Sequence, residues 1–186
     1  SSSSSATTLS AVSRIGAAEK VLKCSELFKL ILSFLHYPRR FKVISIHAQV
    51  QGYVKFKGTV VVGAKVIFIP YNADVVGILD TTAPRGSPQF STVTLGGLVT
   101  GNCKFQCAAV LGSKVYFAPD RADVIGVFDT AADEGKGEFS TISLNGVGSG
   151  FGKFSGAAAL GSKVYFVPFI GGVAGVLDTA ALTGPV

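Results

Sequence analysis

Residues 114–130 read Lys-Val-Tyr-Phe-Ala-Pro-Asp-Arg-Ala-Asp-Val-Ile-Gly-Val-Phe-Asp-Thr, and residues 163–179 read Lys-Val-Tyr-Phe-Val-Pro-Phe-Ile-Gly-Gly-Val-Ala-Gly-Val-Leu-Asp-Thr. The second stretch lies 49 residues after the first. Working outward, Lys104-Phe105 and Lys153-Phe154 keep the same spacing, and 19 of 29 aligned positions starting from these two lysines are identical. A third, more divergent copy precedes them: Lys55-Phe56, Lys65 and Asp80-Thr81 stand one such period before Lys104-Phe105, Lys114 and Asp129-Thr130. A fixed period of this length marks a repeat architecture, in which each copy is one supersecondary unit.

Each copy holds four short apolar runs separated by turn residues, so four strands per copy are expected. In the second copy the runs are Lys104–Leu111, Lys114–Ala118, Val124–Phe128 and Phe139–Leu144. Gly112-Ser113 joins the first two, matched by Gly63-Ala64 and Gly161-Ser162, and glycine there supplies the positive φ of a tight hairpin. Pro70, Pro119 and Pro168 close the second run, since proline cannot donate to a ladder. The run Lys114–Ala118 is apolar at successive positions without alternation, which predicts a sheet covered on both faces.

The fold class expected is all-β, with propeller blades as three four-stranded antiparallel repeats of this period in a partial ring, preceded by an amphipathic helix. Residues 1–40 form the tail and helix. Residues 41–186 form the repeat domain: an outer strand over 41–46, blades over 55–95 and 104–144, and three strands over 153–179. Phe41–Ile46 aligns with Phe90–Leu95 and Phe139–Leu144, so an N-terminal outer strand is expected to complete the last blade. Three blades are too few for a ring. Either two chains complete it as a homo-oligomer, or the sequence is a fragment of a longer propeller.

Ser1–Ser13 is rich in Ser, Thr and Ala and reads as a disordered tail or a transit-peptide remnant. Over 17–34, Leu22, Leu27, Leu30, Ile31 and Phe34 line one face of a predicted helix opposite Glu19, Lys23, Glu26 and Lys29. The helix is too short and too charged to span a bilayer, and docking on the sheets is favoured over membrane-surface contact. With no Met in 186 residues, the sequence reads as processed or as a fragment. Three cysteines, Cys24, Cys103 and Cys107, do not form a disulfide framework and point to a reducing, intracellular or organellar compartment.

Net charge is +6, but residues 1–40 carry six basic against two acidic residues and 41–186 carry eleven against nine. The repeat domain is nearly neutral, which argues against nucleic acid as a partner. His36 and His47 are the two histidines, and neither stands in a metal or triad pattern. Cys103 and Cys107 read as buried small residues, because Gly152 and Gly156 occupy their places in the next copy. The repeated Asp-Thr pairs read as turn acceptors, and Lys65, Lys114 and Lys163 as side chains lying along the sheet edge. No catalytic residue, metal or cofactor is assigned.

Positions that differ between copies are the better guide to binding, since the framework does not need them. In the loop between the second and third strands they are Tyr71-Asn72-Ala73-Asp74, Asp120-Arg121-Ala122-Asp123 and Phe169-Ile170-Gly171-Gly172. Tyr71, Asn72, Asp74, Asp120, Arg121, Asp123 and Phe169 are the candidate partner-binding residues, on the same end as the fourth-to-first connections.

The pattern Lys-Val-Tyr-Phe-x-Pro-x-x-x-x-Val-x-Gly-Val-x-Asp-Thr at 114–130 and 163–179 resembles propeller repeats of algal and protist proteins and YVTN-type bacterial surface repeats. It is similar, more distantly, to kelch blades. The resemblance covers about four-fifths of the chain and implies a ring scaffold for protein or ligand binding, with no transferable catalytic residues. The expected function is a non-enzymatic scaffold binding a protein or small ligand through the loops of one face. The alternatives are a propeller-type hydrolase, lyase or oxidase, and an accessory subunit of an organellar assembly.

Overall fold

The computed structural model describes residues 43–84, 89–146 and 150–183. The chain divides into two units, Ser1–Ile44 and Ser45–Val186. The expected tail and helix over 1–40 lie outside the described residues.

The second unit is all-β: three antiparallel sheets of four, four and three strands. The first sheet contains β1 (Phe56–Val62), β2 (Lys65–Pro70), β3 (Val75–Asp80) and β4 (Phe90–Thr94) in sequential order. The second contains β5 (Phe105–Leu111), β6 (Lys114–Pro119), β7 (Val124–Asp129) and β8 (Glu138–Ser143). The third contains β9 (Phe154–Leu160), β10 (Lys163–Pro168) and β11 (Gly175–Asp178). Each boundary falls within a residue or two of the alternation and turn signals. The turn glycines Gly63, Gly112 and Gly161 have φ of 56°, 63° and 60°, values that favour glycine.

The sheets pack face to face. Ile67, Ile69, Val76 and Ile78 of the first meet Val115, Phe117, Phe128 and Phe139 of the second. On the second sheet's other face, Ala109, Tyr116, Ala118 and Val127 meet Phe154, Val164 and Phe166 of the third. This explains the unbroken apolar run of β6: the second sheet is the middle layer, so every residue from Val115 to Pro119 is buried.

One arrangement recurs inside each sheet. Phe56, Phe68 and Phe90 cluster with ring centroids 5.6–6.5 Å apart, and Phe105, Phe117 and Phe139 do so at 5.5–6.3 Å. Both trios close over a glycine of the third strand. A β-carbon on Gly126 would sit 2.8, 2.9 and 3.0 Å from the three rings, and one on Gly77 would sit 2.9–3.1 Å from its trio. In the third sheet Phe154 and Phe166 pack at 5.5 Å over Gly175, whose neighbours include no third ring.

That missing ring belongs to a missing strand. The expected outer strand over 41–46 is not seen: residues 43–46 carry no strand, and Phe41 and Lys42 lie outside the described residues. A strand needs an open ladder to join. Ile46 and Val50 are held in a cluster with Phe56, Phe68 and Phe90, on the face of the first sheet turned away from the second. The sheet with a place for a fourth strand is the third, two layers away.

Candidate functional site at the loop end

The candidate binding residues sit where one sheet joins the next, and most of them are engaged in that junction. Lys104 begins the second repeat with its side chain 1% exposed, and its ammonium pairs with the Asp74 carboxylate at 2.8 Å. It also donates to the Asn72 carbonyl at 3.2 Å. One period later Lys153, 3% exposed, pairs with Asp123 at 3.1 Å and donates to the carbonyls of Arg121 and Gly150 at 3.1 and 2.8 Å. A buried ammonium is tolerated because carboxylate and carbonyl oxygens replace its water. Each junction is therefore pinned by a lysine reaching back into the preceding repeat.

Side-chain oxygens from the same loops secure the chain just ahead of these lysines. Asn72 Oδ1 accepts from the Cys103 N–H at 3.0 Å, and the buried Asp120 Oδ1 accepts from the Gly152 N–H at 2.9 Å. The bond geometry needs a sharp turn before each lysine, so Val54, Cys103 and Gly152 take positive φ of 45°, 57° and 72°. Tyr71 stands at the first junction, where its hydroxyl bonds with Cys103. That bond, burial and the nearby Asp120 carboxylate push its pKa up. The Lys57 ammonium lies 4.7 Å from the centre of the Tyr71 ring.

Of the seven candidate residues, Asn72, Asp74, Asp120 and Asp123 thus hold sheet to sheet. Arg121 remains exposed, with its guanidinium 5.5 Å from the centre of the Phe151 ring. Phe169 is exposed beside Ile170, and the two close over Gly152, where a β-carbon would approach Ile170 to 2.6 Å. A small pocket of about 120 Å³ opens there, lined by Phe151, Gly152, Ile170 and Val173 among others. The third loop, Phe169–Gly172, has no acidic residue, so its chemistry is apolar where the earlier two loops are ionic.

Other readings are placed as follows. The Asp-Thr pairs are turn acceptors: Asp129 Oδ1 accepts from the Ala131 N–H at 3.0 Å and the Ser113 hydroxyl at 2.9 Å, and Thr130 donates to the Ser113 carbonyl at 2.8 Å. Thr81 and Thr179 repeat the bond to Ala64 and Ser162 at 2.8 and 2.7 Å. Lys163 and Lys114 do more than lie along the edge, reaching Asp178 at 2.9 Å and Asp129 at 3.7 Å. Lys65 instead donates to the Gly135 carbonyl of the second repeat. Cys107 is half-buried, which pushes its thiol up to about 11, and His47 is exposed.

Sequence reasoning missed Lys104 and Lys153 as the centres of the junctions. A signal was present: each lysine has an aspartate upstream at the same offset, Asp74 before Lys104 and Asp123 before Lys153. Among the described residues no group of three or more His, Cys, Asp or Glu is close enough to hold a metal ion. No helix among them is long and apolar enough to cross a membrane. Compared with protein-family models, curated proteins and solved structures, the chain matches none.

Proposed function

We propose that the chain is a non-enzymatic scaffold whose three sheets are propeller-type blades, and that its loop end binds a protein partner. One observation carries the reading. The lysine junctions fix the loops rigidly, and the residues left exposed beside them, Tyr53, Arg121, Phe151, Phe169 and Ile170, are mostly of the aromatic and arginine types that anchor protein interfaces. Rigid presentation lowers the ordering cost of binding.

The test is a photo-crosslinking amino acid placed at Phe151 or Phe169, compared with Ala64 or Ser162 in the hairpin turns at the opposite end of the strands. A discrete protein adduct in native extract from the loop positions alone is expected. Arg121→Ala with Phe151→Ala should remove that adduct and leave the melting temperature within about a degree, because neither side chain spans a junction. Equal labelling at both ends, or none, would overturn the reading.

A further inference from the structure

The third sheet is unfinished in three matching ways. Its β11 has no strand beyond it among the described residues. A cavity of about 260 Å³ lies between the second and third sheets, bordered by Ile125, Ile142, Phe154, Phe166 and Val176. It occupies the place that Phe139 fills one junction earlier, beside Phe105 and Phe117. On the outward face, Ala158, Tyr165, Val167 and Val176 are exposed, whereas Ala109, Tyr116, Ala118 and Val127, one period earlier, are buried by the next sheet.

The far face of the first sheet is the complement. Val50, Ala73, Phe90, Phe56 and Phe68 cluster there, and each is the counterpart, one period earlier, of Val99, Ala122, Phe139, Phe105 and Phe117, which face the first sheet across the first junction. Val50 and Val99 are 5% and 7% exposed. In that junction Leu95–Val99 follows directly on β4, the outer strand of the neighbouring sheet. Ile46–Val50 lies on the first sheet in the same manner. The residues just before it, Phe41–Ser45, therefore correspond by register to the outer strand of a sheet stacked on that face.

We propose that this sheet is the third sheet of a second copy of the chain. The second copy docks its third sheet on the first sheet of its partner, whose Phe41–Ser45 adds as the fourth strand and whose Phe41 fills the cavity over Gly175. The β3–β4 register pairs Leu79 with Phe90 and Ile78 with Ser91, which sets Leu177 opposite Phe41 and Val176 opposite Lys42. The chain's own segment does not reach. Ser45 is one residue, about 3.4 Å, from Ile46 on the far face, while the third sheet lies two sheet spacings, about 20 Å, beyond the first. Two reciprocal junctions close six sheets, a number within the range of propeller rings. At these junctions Lys55 takes the part of Lys104, and Gly172 stands where Asp74 and Asp123 supply the carboxylate.

The inference builds on the blade reading above but uses the sheet faces, so loss of the loop-end adduct leaves it untouched. Light scattering on the full chain should give about twice 19.2 kDa. Val176→Lys, at a position 58% exposed, should halve that mass without changing the far-ultraviolet circular dichroism. Gly172→Asp should tighten the dimer several-fold by restoring the missing carboxylate. Mixing Lys42→Cys chains with Val176→Cys chains under mild oxidation should yield a covalent dimer whose mapped link joins 42 to 176. A monomer, a dimer without that link, or a link formed within one chain of the double variant overturns the proposal.

Discussion

Lys104 and Lys153 do the same work with different support, and this separates their responses to substitution. Lys104 has one carbonyl besides Asp74, whereas Lys153 has two besides Asp123. Removing a carboxylate leaves a buried ammonium with whatever carbonyls remain. Asp74→Ala is therefore expected to cost about 1–3 kcal/mol, and Asp123→Ala distinctly less, as read by urea denaturation of each variant. Equal losses would show that the carbonyls contribute little.

The turn carboxylates set the acid response. Asp80 is held below its ordinary pKa by the hydroxyl and N–H of Thr82, Asp129 first by the Ala131 N–H, and Asp178 first by Lys163. A lowered folded-state pKa means that the unfolded chain takes up protons first as pH falls. The stabilisation is thus complete above the unfolded value near 3.9 and lost as pH drops through the folded values. The melting temperature should hold between pH 7 and 5 and fall below about pH 4. Asp129→Asn should start lower and show a shallower fall.

At the scale of elements, the sequence was read closely where the cause is local. The strands β5, β6 and β7 are where the alternation and glycine turns put them, because a hairpin needs only its own residues and one positive φ. The loop residues were harder. Asp74 and Asp123 look like free surface carboxylates in their own repeats, and what they bind lies in the next repeat, across a sheet junction that no local pattern reveals. Phe41–Ile46 has the composition of an outer strand, yet 43–46 carries none, since composition does not supply a ladder to pair with.

The ring trios are the other element-level device, and they respond in a graded way. Gly126→Ala would force a β-carbon against three rings and should cost about 1–3 kcal/mol. Gly175→Ala meets two rings at 3.1–3.3 Å beside an open cavity, so its loss should be smaller. Phe139→Ala opens in the second sheet the kind of gap the third sheet already has, with an expected cost of about 3–5 kcal/mol. Thermal denaturation of the three variants ranks them.

Across the whole repeat domain, each sheet touches only its neighbours, so stability builds up from repeats and junctions. A chain ending at Gly146 should keep the first two sheets by circular dichroism. It should melt at a lower temperature and bind more of a hydrophobic dye, because Tyr116, Ala118 and Val127 lose their cover. Complete loss of β-structure would mean that the third sheet is needed for the others to fold.

The sharp turn ahead of each junction lysine offers a route to a hardier protein. Gly152 adopts its left-handed conformation at no steric expense, but Val54 and Cys103 hold theirs against a β-carbon, and a β-branched side chain resists it most. Strain of this kind is a reserve that substitution can release. Val54→Gly should raise the melting temperature, while Gly152→Val, which would drive a side chain into Ile170, should lower it. The repeat thus carries in its third copy the sequence change that would make its first copy more heat-resistant.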